Sequence, residues 1–223
     1  MDFVTKKRQR SQIFRLLSAC FYEPDKKLFM EELVCTNLAN LLAEVAPEAE
    51  SAALNMQAAL SETDDKEMLL DYARLFVGPF ELLAPPYGSI YIEGKSQVMG
   101  DSTMAVLKKY QEIGLSIDIK EPADHIAFEL EFMHYLYTLE TEAIQKDDNA
   151  KTQSLASMRN DFLSAYLTTW IPQFCEKIRI GTDNMFYRNL ADCLELFIEL
   201  EVSSQLIVNV NGATEHAYQP STR

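Results

Sequence analysis

The residues with the clearest chemical capacity sit in one short stretch, Glu121-Pro122-Ala123-Asp124-His125, and in the apolar-rich segment after it. Asp124 and His125 are a candidate functional pair at the first turn of a helix. His125 with Glu129 is an i, i+4 pair that could grip a metal from one helix face. Each chemistry needs a further group. His134 lies nine positions beyond His125, about 180° around a helix, so the two cannot share one ion. Ser89 and Ser102 are candidate nucleophiles, yet no Gly-x-Ser-x-Gly elbow frames either. No glycine-rich phosphate cradle of the GxGxxG or GxxxxGK[ST] kind occurs. Cys20, Cys35, Cys175 and Cys193 are too widely spaced for a zinc ribbon or a CxxC redox pair, and read as free thiols of a reducing cytosol. The residues therefore predict neither a catalytic centre nor a resident metal.

The elements that must position this stretch follow from where backbone breakers fall. Five of the seven glycines and three of the eight prolines lie between residues 78 and 114. The long flanks are left to form helices. Periodic apolar positions predict helices over 5–22, two short ones within 26–45 broken near Cys35-Thr36, and one over 47–60 opened by Pro47. A further helix runs from the Thr63-Asp64-Asp65 cap to Val77, where Gly78 and Pro79 end it. Others cover 101–113, 122–145, 154–179 with a kink at Pro172, and 183–202. Residues 203–210 read as helix or strand, and 211–223 as a disordered tail. The segment from about 78 to 96 is an irregular but apolar loop, which must pack on something or wait for something. The expected fold is all-α: one domain over 1–210, a bundle of eight to ten helices.

Charge narrows the partners. With 34 acidic against 20 basic residues the net charge is −14, which disfavours nucleic acid and favours a basic partner. No apolar run reaches the ~20 residues that span a bilayer. Lys6 to Arg10 followed by Ile13–Cys20 imitates a signal peptide, but Arg15 interrupts the apolar stretch. Ile13, Leu16, Leu17 and Cys20 fall at helical spacing instead, so the segment reads as the first helix of a cytoplasmic protein.

Along the helix expected from Pro122, at about 100° per residue, Ile126, Leu130, Met133 and Tyr137 form one apolar stripe and Phe128, Phe132, Leu136 and Leu139 a second. A helix apolar on two sides is packed on both, near the centre of a bundle. Glu129 falls between the stripes and must find a donor or hold a proton. Asp124 suits either a helix cap or a functional contact.

Several passages in order resemble the TorD/DmsD family of molybdoenzyme maturation chaperones. They are Leu75-Phe76-Val77-Gly78-Pro79, Ala84-Pro85-Pro86-Tyr87-Gly88-Ser89-Ile90-Tyr91, Gly100-Asp101-Ser102-Thr103, and Glu121 to His125 with Glu129-Leu130 and Phe132-Met133. Trp170, Pro172, Phe174 and Phe186-Tyr187-Arg188 extend the likeness, which spans about residues 10–200 and leans toward the DmsD branch. Tyr72 stands where close relatives carry tryptophan. The resemblance implies an all-helical chaperone, not an enzyme. It would bind the twin-arginine (Tat) leader of the apo-form of a molybdenum oxidoreductase catalytic subunit and hold back export until the cofactor is loaded. It nominates Tyr72, Leu75, Phe76, Pro86, Tyr87, Pro122, Asp124 and His125 as the leader-binding surface. It also brings guanine-nucleotide binding and a choice between monomer and domain-swapped homodimer.

The residues support such a receptor independently. A cationic, apolar leader needs an apolar floor beside an acidic rim. Tyr72, Leu75, Phe76, Tyr87 and Tyr91 suit the floor, and Glu121, Asp124 and Glu81 the rim, with Glu129 close by. Core packing for the loop aromatics and a solvated face for the acids are the competing readings. The alternatives for the whole chain are a slow GTP hydrolase and a helical dimerisation scaffold.

Overall fold

In a computed structural model of the chain, residues 2–78, 82–94, 99–116 and 121–216 are described, with 206–216 as backbone alone. Local chemistry sets most helix starts. Asp2, Asp25, Asp64 and Asp148 accept from backbone N–H groups as N-caps of α1 (Phe3–Ala19), α2 (Lys26–Glu31), α5 (Asp65–Tyr72) and α9 (Asn149–Phe162). Pro47 opens α4 (Pro47–Glu62), which needs no N–H there. The break between α2 and α3 (Val34–Val45) falls at Leu33, in the left-handed region at φ 52°, slightly ahead of the expected Cys35-Thr36.

Two helical runs depart from ideal α periodicity. α5 passes into a π-helical turn, Ala73–Val77, which Gly78 ends at a φ of 96° that suits glycine. α9 continues through a second π-turn, Leu163–Leu167, into α10 (Thr168–Gly181). The π-turn ends at Leu167, directly before Thr168, the residue whose carbonyl the Pro172 ring crowds. Within the passage expected to be irregular, Gly88–Glu93 forms a short helix, α6. Six residues cannot sustain a helix alone, so packing, not propensity, forms this one.

Completing the order are α7 (Asp101–Glu112), α8 (Ile126–Gln145) and α11 (Met185–His216). α11 runs past the end expected near 202, while the expected tail reaches into residues outside those described. Counting continuous runs, ten helical runs occur among the described residues, and an isolated β-bridge between Tyr87 and His125 is their only β-pairing. The all-α expectation holds. None of the described helices is long and apolar enough to cross a membrane.

α8 is the axis of the bundle. α1 lies antiparallel along it: Ser18 Oγ donates to the Ala127 carbonyl at 2.9 Å, Ser11 Oγ meets His134 Nδ1 at 2.8 Å, and Lys7 reaches Glu140 at 2.6 Å. On its other side Phe132 packs against Phe162 and Tyr110. The two-stripe reading of this segment is therefore realised in the packing. Phe14 is enclosed between Tyr137 of α8 and Phe197 of α11. All four cysteines are buried free thiols, and burial pushes each thiol up from its ordinary range.

Phe14→Ala should cost about 3–5 kcal/mol, the range for truncating a core aromatic. Ile180, 77% exposed at the end of α10, should tolerate alanine within about 0.5 kcal/mol. Urea denaturation of both variants checks this; equal losses would mean that Phe14 is not a core anchor.

Candidate functional site

The segment around Pro85–Tyr91 is fastened to the residues that lead into α8. The Ile126 N–H donates to the Pro86 carbonyl at 2.8 Å, and the Gly88 N–H to the Asp124 carbonyl at 3.0 Å. These bonds make the Tyr87–His125 bridge. The bridge uses the Asp124 carbonyl and the Ile126 N–H, so α8 starts at Ile126 and not at Pro122. His125 is its N-cap, with Nδ1 accepting from the Ala127 N–H at 3.2 Å. That bond places the imidazole proton on Nε2, and burial holds the ring's pKa down at about 4, so it is neutral near pH 7.

Asp124 does not cap the helix. Its Oδ2 accepts from the Ser89 N–H at 2.7 Å, at the start of α6, pinning the loop by a charge-assisted bond. Beneath it Glu129 is fully enclosed, with Oε2 accepting from Trp170 Nε1 at 3.1 Å. Burial pushes the Glu129 carboxyl well above its ordinary range, the Asp124 charge adds to this, and the indole bond opposes it. Asp124 Oδ1 and Glu129 Oε1 have no partner among the described residues. Gly88 rests on the Trp170 indole: a Cβ there would lie 2.9 Å from Nε1. Tyr91 stacks on the same indole, centroids 5.5 Å apart, and donates to the Pro85 carbonyl.

The expected site residues thus divide by burial. Leu75 and Phe76 belong to the core, Phe76 ringed by Phe21, Phe174, Tyr187 and Tyr72. They support a floor from below and are not its surface. Pro86, Pro122, Asp124, His125 and Glu129 are buried as well. Tyr72, Tyr87 and Tyr91 are half-buried and Glu121 is exposed. Glu81 lies outside the described residues.

What faces solvent is an array of tyrosines and carboxylates. The Tyr87 hydroxyl donates to Glu121 Oε2 at 2.8 Å. Tyr22, at the end of α1, stacks on His125, packs on Phe128 and donates to Glu131 Oε1 at 2.9 Å. Burial, reinforced by Glu23 and Glu121, pushes the Tyr72 hydroxyl up to about 12. Burial and the bonded glutamates push Tyr22 and Tyr87 up also, so all three stay protonated donors. Tyr22, Glu23, Phe128 and Glu131 are members that sequence reasoning missed. The signal available was the Phe21-Tyr22-Glu23-Pro24 stop of α1, an aromatic and an acid at a helix end.

Residues 42–176 match the model of the nitrate reductase delta subunit family. A chaperone protein TorD from Vibrio parahaemolyticus is 31% identical over 138 residues, covering 60% of this chain and 62% of that protein. The match thus spans less than two thirds of this relative's length. A TorD from a Psychrobacter species is 28% identical and covers 86% of this chain and 92% of its own. A Tat proofreading chaperone DmsD from Salmonella typhi is 27% identical over 72% of this chain and 73% of its own, so identity does not separate the two branches. The crystal structure of a candidate redox enzyme maturation protein from Archaeoglobus fulgidus shares the fold, with a TM-score of 0.55 at 20% identity over 85% of this chain and 93% of that one.

Glu129 sets a pH dependence whose sign is fixed. A carboxyl raised above its ordinary 4.5 favours the fold fully below that pH, and the contribution is lost as pH rises toward its folded value. Glu129→Gln keeps the acceptor for Trp170 and removes the ionisation. It should be more stable than the parent at pH 8 and equal to it near pH 4, His125 cancelling between the two. Denaturant midpoints across this range check it, and a pH-independent difference would rule the account out.

Proposed function

The chain belongs to the nitrate reductase delta subunit family, and from that premise we propose that it is a maturation chaperone acting in the cytoplasm. On this reading it binds the twin-arginine signal peptide of a molybdopterin-containing oxidoreductase catalytic subunit. It holds that apo-subunit back from export until cofactor insertion and folding are complete. It works by binding and not by catalysis. The relatives named TorD and DmsD support the class of function.

The observation that carries the binding reading is the seating of Pro86–Tyr87 on Asp124–His125. It sets Tyr87 and Glu121 in one array with Tyr22, Tyr72, Glu23 and Glu131. Guanidinium groups suit such an array twice over. Carboxylates accept them in bidentate fashion, and aromatic faces attract their charge. Exposed Val77, Leu83 and Ile180 offer apolar surface for the rest of a leader, and Leu83 lies close to Gly181. Burial of apolar leader residues supplies affinity, and the negative field of the protein speeds encounter.

A synthetic leader with two arginines, titrated by calorimetry, should bind with an affinity that falls with salt. Changing both arginines to Gln should weaken it more than tenfold, at least about 1.4 kcal/mol. Glu121→Gln with Glu131→Gln in the chaperone should reproduce that loss while leaving the circular dichroism unchanged. Equal affinity for both peptides would reject the carboxylate array as the receptor.

A further inference from the structure

At the opposite end of α8 from Asp124, roughly 24 Å along the axis at 1.5 Å per residue, a second site has the opposite electrostatics. A cavity of about 320 Å³ opens between α1, α8, α9 and α11. Four cationic side chains line it, Lys6, Lys7, Arg10 and Arg159, against two carboxylates, Glu140 and Glu201. In a chain of net charge −14 this wall carries a surplus of two positive charges.

The wall is built and not a chance meeting of surface lysines. Glu140 accepts from Lys7 at 2.6 Å and from Arg159 Nε at 3.1 Å. Arg159 Nη1 donates to the Tyr137 hydroxyl at 3.1 Å, that hydroxyl donates to Glu201, and Glu201 accepts from Arg10 Nε at 2.6 Å. Lys7, Arg159, Glu140, Glu201 and Tyr137 are all buried. The Arg159 guanidinium also lies over the Tyr137 ring, 4.4 Å from its centroid. This network fixes two guanidiniums, each with N–H groups to spare: Arg159 Nη2 and Arg10 Nη1 have no partner among the described residues.

Two further groups in the same wall have unmet capacity. Asn160 Oδ1 and Gln205 Nε2 are buried atoms without a hydrogen-bond partner among the described residues. Such groups cost free energy unless something pairs with them. Lys6 is exposed at the rim and makes no ion pair among the described residues, and Phe3, 66% exposed, offers an aromatic face beside Lys7. Surplus cationic charge, fixed guanidinium forks and side-chain amides together match one ligand chemistry. The volume is at the lower end for small-molecule sites.

We propose that this cavity binds a small, multiply charged oxyanion whose body carries hydrogen-bonding groups. The guanidiniums and ammoniums neutralise the charge, and the Asn160 and Gln205 amides bond the rest. Burial pulls the Lys7 ammonium below its ordinary range despite Glu140, and an incoming anion would favour its charged form. The site is independent of leader binding, because it shares no residue with the tyrosine–carboxylate array.

The test uses the full chain, with pyrophosphate and citrate as probes and sodium chloride at matched ionic strength as control. Either probe should raise the melting temperature beyond the chloride control and give saturable heat. Binding of pyrophosphate alone assigns the phosphate class, and of citrate alone the carboxylate class. Lys6→Glu and, separately, Gln205→Ala should weaken binding at least tenfold. Neither side chain has a hydrogen-bond or ion-pair partner to lose among the described residues, so both variants should fold. Glu121→Gln should leave the affinity unchanged. Failure of both probes to bind, or binding indifferent to Lys6→Glu and Gln205→Ala, would overturn the proposal.

Discussion

Two carboxyl groups with no cation paired to them among the described residues, Asp124 and Glu129, lie beneath the Pro85–Tyr91 segment, and the surface at that end depends on how each is satisfied. Asp124 does it with the Ser89 N–H, and Glu129 with the Trp170 indole and a raised pKa. Buried acids without a counter-charge are expensive. Each bond that relieves them therefore fixes something else. The first fixes the start of α6, and the second fixes Trp170, on which Gly88 and Tyr91 rest. If Asp124 lost its bond to Ser89, the bridge would lose its nearest side-chain support and Tyr87 its fixed position beside Glu121.

α8 carries this arrangement because it is held along its length. The antiparallel α1 places Tyr22 beside His125 at one end and Lys7 beside Glu140 at the other. One helix pair thus separates an aromatic, acidic surface from a cationic cavity. The two differ in their use of charge. At the first, the carboxylates Glu23, Glu121 and Glu131 are exposed and solvated. At the second, cations and carboxylates alternate out of water, where their interactions are screened far less. The chain's net acidity describes only the first.

Much of this was legible in the residues. The helical class, the Asp64 cap, Pro47, the Gly78 stop and the central, doubly packed α8 all follow from short-range chemistry that one segment carries by itself. The adjacency of the Pro86–Tyr87 passage and Asp124–His125 came from a family resemblance, not from periodicity. What could not be read depends on tertiary pairing. α6 forms because Asp124 and Trp170 await it, and no local signal announces them. The start of α8 moved to Ile126 because the bridge claims the Asp124 carbonyl and the Ile126 N–H. Leu75 and Phe76 looked like floor residues because apolar side chains read alike whether they meet a ligand or the core. Tyr22 and Glu131 were invisible for the same kind of reason: 109 positions separate them, and only the docking of α1 on α8 brings them together.

Tyrosine hydroxyls on the acidic surface do more than fill space. Their raised pKa values keep them as donors, so Tyr87 and Tyr22 each hold one oxygen of a glutamate and leave the other without a partner among the described residues. A free glutamate side chain would lose rotamer freedom on capturing a cation, and one already held by a phenol loses less. The carboxylate plane is then set before the ligand arrives. A planar guanidinium can meet such a fixed acceptor while lying on the neighbouring ring, whereas a lysine ammonium is a point charge with no plane to match. On the proposed function, a surface of phenol-held carboxylates would prefer arginine to lysine through geometry and not through charge alone, which is the discrimination that the proposed leader receptor needs.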